Sequence, residues 1–288
     1  MRIVLVGARG QLAISLRGAL AAHDVVTLSR RELDISDASR VVETVRTLRP
    51  DVVINAAAIR RPDECERRPE HAFAVNALGA KHVALACAST GSALVHYSTD
   101  NVFDGRKMSP YTEEDVPSPI TMYGVTKLAG EFFVRHLLEK AFIVRTSGLF
   151  GGTSEGGTNF VLTMLRKARE GERIRVVTDQ QISPTYTEDL ARKTAWLISG
   201  QRYGLYHITN AGECSWFQFA RAIFERTDLD VDVVPTTTDQ MRFAAPRLRY
   251  AVLANRALER LGASDMPSWE DALDRYLHAT GYGSRVPV

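Results

Sequence analysis

Cysteine is scarce. Cys65, Cys87 and Cys214 lie far apart, with no Cys-x-x-Cys pair. An odd, scattered set argues against a disulfide framework and for reduced thiols in a cytoplasmic compartment. The histidines are scattered too, with no His-x-x-x-His, so no metal ligand set is expected. An excess of one charge is also lacking. The 36 Lys and Arg against 34 Asp and Glu leave +2, which gives no basis for binding nucleic acid or an anionic membrane surface. No apolar run is expected to span a membrane, and Met1 to Gly7 is too short for the core of a signal peptide. Internal repeats and low-complexity tails are absent.

What is present is ordinary globular composition over 288 residues, enough for two small domains or one large one with an appended lobe. Arg2 to Val6 reads as a buried parallel strand. Gly7-Ala8-Arg9-Gly10-Gln11-Leu12-Ala13 follows and leads into helical spacing from Ile14 to Leu20. Strand, glycine turn and helix together bring backbone N–H groups to a pyrophosphate. The third small residue is Ala13, which still permits close helix–strand packing. Val25 to Leu28 reads as the second strand. At its end a dinucleotide fold discriminates its ribose. Arg30 and Arg31, with no acid immediately after the strand, favour NADP over NAD. Asp34 and Ile35 are placed to border the adenine. After the strand Asp51 to Asn55, the small residues Ala56, Ala57 and Ala58 let a cofactor lie close to the backbone. Arg60 to Pro69 reads as a polar loop, its arginines more at home in solvent than on a diphosphate.

The stretch from Ser98 to Lys127 carries the chemistry. Ala93 to Tyr97 reads as a buried strand, so Ser98 and Thr99 fall at its C-terminal end, where open α/β sheets bind ligands. Tyr123 and Lys127 are four apart on a helical pattern and share a face. A phenol near pKa 10 is a poor acid at neutral pH, and a neighbouring ammonium lowers that value. A hydroxyl, a phenol and a lysine on one spot form a proton-transfer device for a carbonyl/alcohol pair. Phe103 to Thr121, with three prolines, reads as an active-site flap. The glycine-rich run 150–158 reads as mobile. Trp216, Phe217 and Phe219 at helical spacing read as core.

Several motifs occur in one order: Gly7-x-x-Gly10-Gln11-Leu12, Asn55-Ala56-Ala57-Ala58, Ser98-Thr99-Asp100, Val102-Phe103-Asp104-Gly105, Tyr123-x-x-x-Lys127-Leu128-Ala129-Gly130-Glu131, Arg145-Thr146-Ser147, Asn159-Phe160, Asp179-Gln180 and Ser183-Pro184-Thr185. Over nearly its whole length the chain resembles the dTDP-4-dehydrorhamnose reductase family of extended short-chain dehydrogenases/reductases. The resemblance implies a doubly wound parallel Rossmann sheet formed by residues 1–148 and about 178–210. A smaller mixed α/β substrate lobe then takes 149–177 and 211–288.

The implied activity is NAD(P)H-dependent reduction of a 4-keto nucleotide sugar, with Tyr123 as proton donor. Lys127 would lower the Tyr123 pKa and bond the nicotinamide ribose. Thr99 would hold the carbonyl oxygen, and Tyr97 would lie behind the cofactor. Asp100, Asn101, Gly148, Asn159 and Arg247 would meet the substrate, and a homodimer is the default assembly. Three departures from the family pattern stand out. Asn101 replaces a tyrosine, Gly148 replaces a tryptophan, and the C-terminal Arg-Pro pair reads Arg247-Leu248. Loss of two aromatic walls implies a wider, more polar pocket and a related sugar nucleotide as substrate. Asn101 also breaks the Asp-Glu pair of a 4,6-dehydratase, and Gln11-Leu12-Ala13 does not match the glycine turn of an epimerase. The rival implied by Arg60-Arg61-Pro62-Asp63 is a non-catalytic subunit resembling the methionine adenosyltransferase β subunit, in which NADP is structural.

Overall fold

A computed structural model describes residues 1–152, 159–227 and 229–282; most of the glycine-rich run, 153–158, lies outside these. In chain order the first half comprises β1 (Arg2–Val6), α1 (Gln11–Ala19), β2 (Asp24–Leu28), α2 (Ala38–Leu48), β3 (Val52–Asn55), α3 (Pro62–Arg67), α4 (Pro69–Phe73), a π turn at Ala74–Leu78, α5 (Gly79–Thr90), β4 (Ala93–Thr99), α6 (Met122–Leu137) and β5 (Ala141–Thr146). The second half comprises β6 (Leu149–Phe150), α7 (Phe160–Arg169), β7 (Ile174–Val177), β8 (Gln181–Ile182), β9 (Thr185–Tyr186), α8 (Thr187–Gly200), β10 (Gly204–His207), β11 (Cys214–Ser215), α9 (Trp216–Glu225), β12 (Val233–Thr236), β13 (Tyr250–Ala251), α10 (Arg256–Arg260) and α11 (Trp269–Ala279).

Six strands pair in parallel in the order β2-β1-β3-β4-β5-β10. Strand order reverses between β1 and β3, the switch point where such sheets open a crevice at their carboxyl ends. The period of two along β1 sends Ile3 and Leu5 to one face and Val4 and Val6 to the other. The first face packs on Leu12 and Leu16 of α1 and on Leu190 and Leu197 of α8. The second packs on Val41 and Val45 of α2, Val83 of α5 and Val134 of α6. This two-sided burial explains why the strands read as continuous apolar runs. In α2 the Asp37 carboxylate caps the N-terminus by accepting from the Arg40 amide, and Arg49 ends the helix in the left-handed region. Burying Val41 and Val45 contributes about 1.5–3 kcal/mol each.

A third cluster lies outside the sheet and joins Phe150, Phe219, Trp269 and Tyr276 with Val161, Leu165 and Ile223. Phe219 meets Phe150 at 5.3 Å and Trp269 edge-on at 5.7 Å. Leu258 and Met266 pack into the sheet's first core, while Tyr186 belongs to this third cluster.

Two expectations are corrected and a third is refined. The polar loop at Arg60–Pro69 contains α3, with Pro62 at its start and Asp63 and Glu64 favouring the helix dipole. By length and composition the continuous helical segment Pro69–Thr90 is apolar enough to cross a membrane. Here Val75, Ala80, Val83, Ala84 and Cys87 pack into the domain core instead. The supposed flap is tied down. Tyr111 stacks on Phe103 at 4.2 Å, its amide donates to Val252 O, and its carbonyl accepts from Ala254 N.

Candidate active site

A cavity of about 570 Å³ opens at the carboxyl ends of β1, β3 and β4. That volume suits a small-molecule ligand. Its floor at one end is the turn after β1. Gly7 sits at φ +83°, and a side chain there would begin 2.7 Å from the Ala57 amide. Gly10, Gln11, Leu12, Ala56, Ala57, Ala58 and Ile35 line the same end. Arg30 lines it too, ion-paired with Asp34 at 3.1 Å. Arg31 is exposed and outside the cavity wall, so only one of the two arginines is positioned for a ribose phosphate. The buried Gln11 Nε2, Ser98 Oγ and Thr146 Oγ1 have no partner among the described residues, and all three residues line the cavity.

At the other end, α6 delivers Tyr123 and Lys127. Thr121 caps that helix by accepting from the Gly124 amide at 2.9 Å. Gly124 lets the helix start press onto the turn after β4, because a Cβ there would fall 2.0 Å from Asn101 O. Thus Tyr123 comes beside Thr99, and both line the cavity with Lys127. Lys127 is 3% exposed and Nζ donates to Tyr97 O at 2.5 Å. His96 Nε2 lies 3.4 Å from the same Nζ, and Asn55 Nδ2 lies 3.4 Å from His96 Nδ1. Burial pulls the Lys127 ammonium down to about 8, against a pull upward from the Glu131 carboxylate. Burial and the Lys127 charge hold His96 neutral.

The expected acidification of Tyr123 is not found. Burial raises the phenol above its ordinary range, with the Thr99 hydroxyl opposing. Desolvation of a phenolate outweighs a lysine whose ammonium is turned to Tyr97 O. The phenol is therefore held in its neutral, proton-bearing form. Thr99, expected to hold a carbonyl oxygen, has bonds of its own. Its hydroxyl donates to Asp100 Oδ1 at 2.7 Å and accepts from the Asn101 amide at 3.2 Å. Asp100 accepts from Ser147 Oγ at 2.7 Å and Asn101 Nδ2 at 2.8 Å as well. Burial raises the Asp100 carboxyl, opposed by those bonds. Asp100 and Asn101 touch the cavity, but their polar atoms serve first to fix Thr99.

Two substrate candidates lie elsewhere. Asn159 caps α7, accepting from Leu162 N at 3.0 Å and donating to Tyr276 Oη at 2.9 Å and Gly151 O at 3.2 Å. A side chain so engaged does not reach the cavity wall. Arg247 is held at 2.7 Å by Asp63 and stacked 4.1 Å over Phe243, also off the wall. Tyr97 lines the cavity, while its phenol turns away to bond Thr194 Oγ1 at 2.8 Å.

Gly148 is in the wall at φ +54°, with Pro184 Cα 3.1 Å from where a side chain would start. Trp216 enters the same wall and packs with Ile182, which lies behind Gly148. An aromatic wall is thus supplied by α9 and not by the residue that follows β5. Arg60 is exposed, as its reading as solvated surface expects, and also lines the cavity. The local pattern favoured a cavity position for neither. Trp216 sits in an apolar helical stripe, and Arg60 in a run of charge.

A family model described as "RmlD substrate binding domain" matches residues 1–281. The spore coat polysaccharide biosynthesis protein SpsK of Bacillus subtilis is 39% identical, over 96% of each chain. A dTDP-4-dehydrorhamnose reductase of Mycolicibacterium smegmatis is 39% identical over 94% of this chain and 84% of its own. Among solved structures, the dTDP-4-dehydrorhamnose reductase of Bacillus anthracis in complex with NADP superposes with a TM-score of 0.94 at 41% identity, covering 96% of this chain and 99% of that one. A Rossmann sheet with this cavity, and relatives alike from end to end, lead to one assignment: the chain belongs to the RmlD family, that of the dTDP-4-dehydrorhamnose reductases.

Proposed function

We propose that the chain is a cytoplasmic reductase that converts the 4-keto group of a nucleotide-activated sugar to a secondary alcohol, using NADPH in preference to NADH. The observation that carries this reading is the meeting of Thr99, Tyr123 and Lys127 at one cavity on the carboxyl edge of the sheet. The residues present fit a nicotinamide dinucleotide. Gly7 leaves room that a side chain would fill, and Gln11, Ser98 and Thr146 offer buried polar atoms without partners. The relative of known structure that carries NADP supports the phosphorylated cofactor, as does Arg30 at the end of β2. The regulatory reading gains no support from the comparisons.

The cofactor, when bound, supplies the hydride. Tyr123 gives its proton to the carbonyl oxygen as that oxygen gains charge. Lys127, itself buried, adds a positive charge near the developing alkoxide. Thr99, fixed by Asp100 and Asn101, positions the oxygen; donating to it requires the hydroxyl to turn from Asp100. Asn101 and Gly148 favour a sugar nucleotide related to dTDP-4-dehydrorhamnose, with Trp216 as its aromatic wall. We assign residues 1–148 and about 178–210 to cofactor binding and 149–177 and 211–288 to the substrate lobe. NADPH oxidation with a panel of 4-keto sugar nucleotides, dTDP-4-dehydrorhamnose included, tests this. Turnover with at least one supports it, and NADPH binding without turnover on any member rejects it.

The lysine gives a pH signature. Its folded value of about 8 lies below the ordinary lysine value of 10.5. Activity that needs the ammonium falls as pH rises through about 8. The stability term runs the other way. Between about 8 and 10.5 the unfolded chain holds a proton that the folded chain has released, so stability rises with pH. Urea unfolding of the cofactor-free protein, wild type against Lys127→Met, reads that term as a difference growing above pH 8. An activity profile flat to pH 10 would show that the charge is not required.

A further inference from the structure

Two arginines from distant parts of the chain lie near Asp63: Arg247, which is committed to it and off the cavity wall, and Arg60, which is not paired with it. Arg247 is bound by Asp63 at 2.7 Å, with its guanidinium 4.1 Å from the centre of the Phe243 ring. Arg60, three residues before Asp63, lines the cavity, and its charge reaches Tyr123. Among the described residues no carboxylate makes an ion pair with Arg60. Its backbone is not loose. Asn76, in the π turn, accepts from the Ile59 amide at 2.8 Å and donates to Ile59 O at 3.0 Å. The same amide group donates to Thr126 Oγ1 of α6 at 3.1 Å. The residue before Arg60 is therefore tied to the helix that carries Tyr123 and Lys127. Outward from the cavity Arg60 continues into a second depression with Arg61, Arg67 and Arg68, whose acids are Asp63 and Glu64. Of the other charged lining residues, Arg9 belongs to the glycine turn at the cofactor's end and is not free of partners. Lys127 is buried on Tyr97 O, Asp100 is bonded by its neighbours, and Arg30 is paired with Asp34 at the cofactor's end.

A nucleotide sugar held with its ketone at Tyr123 must place two phosphates away from the reacting carbon. We infer that Arg60 binds the diphosphate of the nucleotide sugar, at the edge where the cavity meets the basic rim of α3, and that Arg247 does not. This deepens the reductase reading and rests on it. The arrangement fixes the polarity of binding: sugar inward at Thr99 and Tyr123, diphosphate on Arg60, nucleoside toward the rim. It also gives the cation a role in matching substrate to site. A guanidinium grips two phosphate oxygens at once, which a lysine does not reproduce.

The test compares Arg60→Ala, Arg60→Lys and Arg247→Ala. Arg60→Ala should raise KM for the keto sugar nucleotide about 10- to 100-fold with a much smaller change in kcat, the usual span for losing a charge-assisted hydrogen bond. Arg60→Lys should recover part of the loss, and Arg247→Ala should leave KM near wild type. Calorimetric titration with thymidine diphosphate and with uridine diphosphate, which carry no sugar, should show the same loss for Arg60→Ala. That titration is decisive even if no keto sugar is turned over by the wild type, so failure of the reductase reading is told apart from failure of this one. Unchanged nucleoside diphosphate affinity in Arg60→Ala overturns the inference. So does a loss confined to NADPH affinity, or a larger loss in Arg247→Ala than in Arg60→Ala.

Discussion

Tyr123→Phe lowers kcat by about 10²- to 10⁴-fold, the span that general acid catalysis supplies, and leaves NADPH affinity near wild type. The substitution removes one oxygen from a half-buried ring and keeps its packing. The phenol is held neutral by burial, so it arrives at the carbonyl as a loaded acid. Phenylalanine has no proton to give, and among the lining residues nearby Thr99 has its own committed to Asp100. Steady-state rates with NADPH fluorescence titration separate the two quantities. A kcat within threefold of wild type would mean that the proton comes from elsewhere.

Glu131→Ala costs about 3–5 kcal/mol of stability, the range for stripping one partner from a buried ion pair. Glu131 and Arg145 are 1% and 2% exposed in their side chains. Arg145 Nε donates to Oε1 at 2.9 Å and a terminal nitrogen donates to Oε2 at 2.7 Å. The guanidinium also lies 5.2 Å over the Phe103 ring, and Arg145 Nη1 has no further partner among the described residues. Removing the carboxylate strands that cation between β5 and α6. Glu131 also draws the Lys127 pKa upward, so the alkaline fall in activity moves to lower pH. Urea unfolding checks the first effect and the pH profile the second. Replacing both partners, Glu131→Leu with Arg145→Met, should recover most of the lost stability, because no charge is then left buried alone. A single substitution costing under 1 kcal/mol would contradict this picture of the pair.

What could be read from sequence was local. The strand-turn-helix around Gly7 and the i, i+4 pair on α6 are each set by residues a few positions apart, and the structure contains both. Long-range partners were hidden. Arg247 pairs with Asp63 across 184 positions, and nothing near either residue announces it. Asn159 was assigned to substrate from a motif, yet its place is fixed by Tyr276, 117 positions away. Trp216 faces both the lobe's aromatic cluster and the cavity, and only the docking of α9 shows the second face. The sign of the Tyr123 shift depends on burial, which the pattern of Tyr and Lys does not encode.

Hydride delivery under the control of one phenol is tested most directly by isotope transfer in a single turnover. The enzyme is loaded with NADPH bearing deuterium at the transferable position and mixed with a 4-keto sugar nucleotide. The expected result is a sugar product one mass unit heavier, labelled at the former carbonyl carbon, with Tyr123→Phe transferring label at least about 100-fold more slowly. Tight NADPH binding with no label in the sugar, or transfer by Tyr123→Phe at the wild-type rate, would contradict it.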